Sequence, residues 1–196
     1  MRKATVSRET KETRITVSVA LDGGGLASVN TGVGFFDHML DHVAKHGLLD
    51  LDLAAEGDLH IDPHHTVEDV GICLGKAVLE AVGAPVGLTR YGHAVVPMDE
   101  ALAEVALDFS GRPFLAFDAD LPPARLGEFD VELAEEFLRA FAVQARITLH
   151  VRLLRGKNLH HCVEAIFKAL GRALRQALTV DPRVTGVPST KGSIEA

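Results

Sequence analysis

In "TRITVSVALDG" the hydrophobic residues Ile15, Val17, Val19 and Leu21 alternate with polar ones, and Gly23-Gly24-Gly25 follow. A period of two closed by glycines predicts a half-buried strand and a turn. "LASVNTG" fits a second strand after that turn. In "GFFDHMLDHVAKHGLL" the period becomes helical, with Phe35, Met39, Leu40 and Val43 on one side. Alternation returns in "LDLDLAAEG". "DPHHTVEDVGICLGKAVLEAVG" then predicts a helix with Asp62 as N-cap, Pro63 at the first position and Gly83 at the end. The opening "MRKATVSRETKET" is polar and is assigned no element.

The same order returns. "RYGHAVVPMDEALAEVALDFSGRPFLAFD" is strand-rich, "ELAEEFLRAFAVQA" is helical, and "ITLHVRLLRG" alternates. "NLHHCVEAIFKALGRALRQAL" is a long helical stretch with Asn158 available as N-cap. Strand, strand, helix, strand, helix, twice over, divides the chain into residues 1–88 and 89–196. The predicted class is α+β: each half a sheet with helices on one face, the halves packed helix on helix as one duplicated unit. The tail "TVDPRVTGVPSTKGSIEA" carries too much turn chemistry to be read as disorder.

Composition narrows what such a chain does. With 196 residues it makes one domain or two small ones, and 47% hydrophobic content is enough for a core. A net charge of −7 without a long basic run argues against a general nucleic-acid surface, while a local basic pocket stays open. The polar start is unlike a signal peptide, and no apolar run reaches membrane-spanning length. Cys73 and Cys162 form no CxxC pair, so a reduced, cytoplasmic protein is expected.

Histidine is the outlier, at ten residues. His64-His65-x-x-Glu68 and His160-His161-x-x-Glu164 repeat one motif 96 positions apart. On a helix, positions i and i+4 share a face, so His64 stacks with Glu68 and His160 with Glu164. The adjacent histidine lies about 100° round the helix. Neutral imidazole and carboxylate suit Mn, Fe, Co, Ni or Zn, and the lack of thiolates argues against structural zinc. One such motif alone reads as a solvated face; its recurrence at the same place in the second half favours metal. His38 and Glu136, 98 positions apart, occupy equivalent places in the preceding helices and bring the candidate ligands to eight. His42 and His46 follow His38 along its face as pocket-lining candidates, whereas His93 and His150 have surface spacing.

"TGVGFFDHMLDHVAKHG", "HIDPHHTVEDVGICLGKA", "RYGHAVVPMDEAL", "DFSGRPFL", "LRGKNLHHCVEAIFKALGRALRQAL" and "PSTKG", in this order, resemble the imidazoleglycerol-phosphate dehydratase family of histidine biosynthesis. The resemblance runs from about residue 4 to 193. It implies duplicated half-domains of the ribosomal-protein-S5 domain-2-like type, each a mixed sheet with two helices on one face. It also implies a homo-oligomer, trimers building a 24-subunit shell, with two Mn²⁺ at each site between subunits. Carried over by position, the metal ligands are His38, His64, His65, Glu68, His160, His161 and Glu164, with Glu136 standing where better-known members have histidine. His42 falls where many members have glutamine. The resemblance further implies Glu12, Glu164 and Asp99 as acid–base or hydroxyl-binding carboxylates. It implies substrate contacts at Glu12, His42 and His46, and a phosphate pocket of Arg90, Arg112, Ser189 and Lys191.

The reaction implied is loss of water from imidazole glycerol phosphate through an imidazolate and a diazafulvene, the metals stabilising charge and a carboxylate taking the proton. Two other readings of the same residues are a binuclear metallohydrolase and a metal-storage or metal-dependent assembly protein.

Overall fold

The computed structural model describes residues 1–194; residues 195–196, the end of the second predicted half, lie outside the described residues. The first half runs β1 (Lys3–Glu9), β2 (Thr13–Ala20), β3 (Ala27–Asn30), α1 (Gly34–Gly47), β4 (Asp50–Gly57) and α2 (His64–Val82). The second runs β5 (Tyr91–Met98), β6 (Ala101–Asp108), β7 (Phe114–Asp118), a small hairpin β8 (Arg125–Leu126) and β9 (Phe129–Asp130), then α3 (Leu133–Gln144), β10 (Thr148–Arg155) and α4 (Leu159–Leu178). Each half forms a four-stranded mixed sheet, ordered β1-β2-β4-β3 and β5-β6-β10-β7. In each, one crossover through a helix makes a parallel pair, β3 with β4 and β7 with β10.

One strand escapes the sequence pattern. β1 pairs along its whole length with β2, Lys3 opposite Ala20 through Glu9 opposite Arg14. It is an edge strand whose inward positions, Ala4, Val6 and Arg8, are only half-buried, so its polar contrast is weak. The order per half is therefore three strands, helix, strand, helix, with β8–β9 added in the second.

Helices cover one face of each sheet, and the halves meet through them: α1 lies against α4 and α2 against α3. Close approach needs small residues. A Cβ on Gly71 would stand 2.8 Å from Phe137 O, and one on Gly171 would stand 2.9 Å from Val43 O. Phe36, Phe129, Phe137, Phe141 and Phe167 are fully buried in the shared core, and Phe137 rests 5.3 Å from Phe36 and 5.4 Å from Phe167 between ring centroids. Burying a side chain of that size contributes about 1.5–3 kcal/mol. On α1 the core residue is Phe36 rather than Phe35, which stays half-buried and turns toward the helix ends where the histidines lie.

Helix starts show why the motifs sit where they do. The Asn158 side chain accepts from His160 N at 3.0 Å, as an N-cap does. α2 begins one residue later than predicted: Pro63 takes the cap position with helical φ and ψ, and Asp62 Oδ1 accepts from His64 N at 2.7 Å. Gly83, at φ 56°, closes α2. Ahead of α1, Asp37 Oδ1 accepts from Thr31 N at 2.8 Å and from the buried Thr31 hydroxyl. Among the described residues no helix is long and apolar enough to cross a membrane.

Candidate active site

α1 and α4, from different halves, converge at their N-terminal turns. His160 Nε2 lies 3.0 Å from Glu164 Oε2, and His38 Nε2 lies 3.5 Å from the same oxygen. One ligand atom from each of His38, His160 and Glu164 falls within 4.8 Å of the others, the only such group among the described residues. Phe35 steadies the arrangement, its ring edge-on to His160 at 5.1 Å. His42 Nε2 approaches His38 Nε2 at 3.2 Å and Glu164 Oε1 at 3.3 Å, and His46 stacks on His42 at 5.7 Å.

Charge in this cluster is set by burial and by one lysine. Lys168 Nζ is 2.6 Å from Glu164 Oε1. Burial works against ionising Glu164, 5% exposed. The Lys168 hydrogen bond and charge, with the neighbouring imidazoles, overcome it and hold the carboxyl down at about 2. Burial pushes His42 down to about 4 against the pull of Glu164, so His42 is neutral at pH 7. Burial, then Lys168 and Arg172, also lowers His46. The ionised Glu164 carboxylate is in the state a divalent metal requires, and the donor set of His38, His160 and Glu164 fits Mn²⁺ or a neighbouring first-row ion.

The first motif sits at the start of α2. His64, His65 and Glu68 are half-buried there, and Glu136 is half-buried on α3, which packs against α2. No hydrogen bond or ion pair among the described residues joins these four to His38, His160 or Glu164, or joins His64, Glu68 and Glu136 to one another, so the structure brings together three of the eight candidate ligands. His65 Nδ1 contacts Asp58 Oδ2 at 3.0 Å, which raises its pKa, and Glu12 Oε2 stands 3.9 Å away. His161 is held alike: Nδ1 contacts Glu100 Oε2 at 2.8 Å, and Asp99 Oδ2 stands 3.9 Å from Nε2. That contact raises His161 and lowers Glu100 to about 2. Asp99, at φ 48°, turns the two-residue loop between β5 and β6. With Nδ1 of each second histidine engaged by a carboxylate, Nε2 is the nitrogen left to bind a ligand.

Arg90, Arg112, Ser189 and Lys191 line one cavity of about 670 Å³, together with Ser110 and Thr190. The tail reaches it because Gly87 N donates to Gly186 O at 3.0 Å and Arg90 NH1 to Pro188 O at 2.8 Å. Arg90, at φ 72°, also grips Asp108 with Nε and NH2 at 2.6 and 3.0 Å. Much of its donor capacity is thus spent inside the chain. Arg112 and Lys191 have no carboxylate partner within 4 Å among the described residues and offer their charge to the cavity. His93 and His150 are exposed on the open face of the second sheet, His93 bonded to Glu104.

Lys168, Asp58 and Glu100 are absent from the sequence expectations. Lys168 follows Glu164 by four on a helix, so an i,i+4 pair was open to sequence reading. Asp58 and Glu100 reach their histidines across loops, and no local spacing announces such contacts.

A duplicated α+β chain with an imidazole–carboxylate cluster at paired helix ends and a cationic cavity beside its tail has the side chains of an enzyme site. Comparison with known proteins specifies which. The profile described as imidazoleglycerol-phosphate dehydratase matches residues 31–174. The chain is 60% identical over 191 residues to the imidazoleglycerol-phosphate dehydratase of Moorella thermoacetica, covering 97% of each. It is 60% identical over 193 residues to that of Bordetella pertussis, covering 98% of this chain and 99% of the relative. The crystal structure of the Staphylococcus aureus dehydratase is similar at a TM-score of 0.82, with 44% identity over 91% of this chain and 99% of that one. A Pyrococcus furiosus structure in complex with (S)-C348 is similar at 0.82, with 41% identity over 95% and 99%. The chain belongs to the imidazoleglycerol-phosphate dehydratase family. It is a hydro-lyase, an enzyme of the dehydration step in histidine biosynthesis.

Proposed function

We propose that this chain converts imidazole glycerol phosphate to imidazole acetol phosphate at a dinuclear Mn²⁺ centre completed between subunits of a homo-oligomer. The observation that carries the reading is the convergence of His38 and of His160 with Glu164, from opposite halves, within 4.8 Å. His64, Glu68 and Glu136 offer a second donor group on α2 and α3. His65 and His161, each engaged by a carboxylate at Nδ1, keep Nε2 for ligation across a subunit boundary. Tyr91 and Phe114, both exposed on the open face of the second sheet, are consistent with assembly into larger particles such as the 24-mer.

Net loss of water removes the hydroxyl from the carbon beside the imidazole and a proton from the next carbon, and the resulting enol becomes the ketone. When bound, Mn²⁺ would supply Lewis-acid stabilisation of ring negative charge, favouring the imidazolate and the diazafulvene that follows hydroxide loss. The chain supplies the rest. Arg112 and Lys191, with Ser189, hold the phosphate and fix the distance from the cavity to the ring. Neutral His42 and His46 line the α1 face beside the ring. Glu164 is committed to Lys168 and His160, whereas Glu12, 56% exposed, has no charge-bearing contact closer than His65 at 3.9 Å among the described residues. Glu12 is therefore the stronger candidate to take the carbon-bound proton, and Asp99, 73% exposed, suits the substrate hydroxyls.

The test is dehydration of imidazole glycerol phosphate by purified protein, before chelation, after it, and after Mn²⁺ return, with metals counted. Activity lost with the metal and regained with Mn²⁺ is expected. Full activity in metal-free protein would remove the dinuclear reading. Release of inorganic phosphate from phosphate esters would favour a metallohydrolase instead.

A further inference from the structure

We propose that Asp58 and Glu100 are positioning residues that orient the second histidine of each His-His pair, and that their division of this task leaves Glu12 free for the substrate. The inference rests on the metal-site reading above and deepens it.

The duplication makes the comparison direct. β2 and β6 are each eight residues long, and Glu12 and Glu100 stand immediately before them. β4 and β10 are also eight residues each, and Asp58 and Gly156 stand immediately after them. Each half thus has two places from which a carboxylate can reach the helix start. The halves use opposite ones. In the second half Glu100 holds His161 Nδ1 at 2.8 Å through Oε2. Its Oε1 meanwhile accepts from Asn158 N at 2.8 Å and Lys157 N at 3.2 Å, pinning the loop that enters α4. Filling the alternative place there would require buried Cys162 to shift, because a Cβ on Gly156 would stand 2.3 Å from Cys162 Sγ. In the first half Asp58 holds His65 Nδ1 at 3.0 Å, and Glu12, the counterpart of Glu100, is left at 3.9 Å.

Stability alone does not account for Asp58. Its side chain is 11% exposed, and its Oδ1 is buried without a hydrogen-bond partner among the described residues. An orphaned buried carboxylate oxygen is destabilising and rare in native proteins. What the residue achieves is chemical. A carboxylate on Nδ1 makes that nitrogen the proton carrier and leaves the Nε2 lone pair outward, as metal-binding histidines require.

Manganese titration of the chelated full-length protein tests this. Asp58→Ala and Glu100→Ala are expected to bind Mn²⁺ about 10–100-fold more weakly than wild type. Asp58→Asn, which keeps an acceptor for Nδ1–H, should recover part of that loss. Glu12→Gln alone should leave Mn²⁺ affinity unchanged while lowering turnover. Combined with Asp58→Ala it should weaken Mn²⁺ further, because Glu12 is near enough to take over His65, so the two changes are not additive. Nitrogen-15 shifts of histidine in the metal-free protein should show the Nδ1–H form of His65 lost in Asp58→Ala. Unchanged affinity with an unchanged tautomer in Asp58→Ala would overturn the proposal, as would an equal affinity loss in Glu12→Gln. If wild type bound no Mn²⁺, the metal reading would fall by itself, and the tautomer would still decide whether Asp58 orients His65. If Asp58→Ala does not fold, the same readouts on Glu100→Ala, with His161 as the reporting histidine, stand in its place.

Discussion

Lys168 Nζ lies 2.6 Å from Glu164 Oε1, one turn along α4, and 3.4 Å from Met98 Sδ. The ammonium compensates a nearly buried carboxylate whose other oxygen faces His160 and His38. Removing one partner of such a pair leaves the other unpaired. Lys168→Met is therefore expected to destabilise the metal-free protein by roughly 2–3 kcal/mol, less than a fully buried pair would lose. Added Mn²⁺ should recover part of this, a cation again standing beside Glu164. Denaturant unfolding with and without Mn²⁺ measures both; equal loss in both conditions would separate Lys168 from the metal group.

His42 sets a pH window. Its folded pKa, about 4, is below the unfolded value of 6.5, so the unfolded chain takes up its proton first as pH falls. The contribution is fully present above pH 6.5 and is lost progressively toward pH 4. His42→Gln should flatten the stability curve of the metal-free protein between these values, by roughly 1–3 kcal/mol at the acid end. Unfolding free energies across that range check it, and an unaltered slope would contradict the assignment.

The cavity arginines should separate by function. Arg112→Ala is expected to raise KM about 10-fold or more for the phosphorylated substrate, with little change in stability, since it makes no internal ion pair among the described residues. Arg90→Ala breaks the pair with Asp108 and the tie to Pro188, and should lower stability by roughly 2–4 kcal/mol as well. Steady-state kinetics with thermal unfolding distinguishes them; matched stability losses would refute the split.

Glu136 stands on α3 beside the start of α2, half-buried and without an ion-pair partner among the described residues. As a ligand, its loss in Glu136→Ala should lower the metal count from two ions toward one, while Glu136→His keeps both. Were it only a favourable charge in the first turn of its helix, about 0.3–1 kcal/mol of stability would go instead, with the count unchanged. Metal analysis of the two variants decides.

Within one chain His64, Glu68 and Glu136 make no hydrogen bond or ion pair with the His38, His160 and Glu164 group among the described residues, so metal and assembly should be coupled. Chelation is expected to shrink the particle from a large shell toward trimers, and Mn²⁺ to restore it. Sedimentation with and without chelator tests this. A monomer in every condition would contradict it.

Much of this was legible along the chain because it is local. Alternation in β2, helical spacing in α1, Asn158 capping α4 and Gly83 closing α2 depend on neighbours a few residues away. So does the stacked pair His160–Glu164, which follows from helical pitch alone; among the described residues no hydrogen bond or ion pair joins His64 to Glu68. Internal repetition added the α+β class and the duplicated plan. β1 escaped because an edge strand with half-buried alternate positions carries little hydrophobic contrast.

Tertiary structure decided what lies near what. Helix pitch does not say that His38 meets His160 and Glu164 while Glu136 lies with α2; that follows from α1 packing on α4 and α3 on α2. Nor does it say that Arg90 spends its donors on Asp108 and Pro188, or that Asp58 rather than Glu12 holds His65. These contacts join residues 18 to 126 positions apart or turn on tenths of an ångström between competing carboxylates. Local propensity carries no information at that range, whereas packing of two sheets and four helices around one core does.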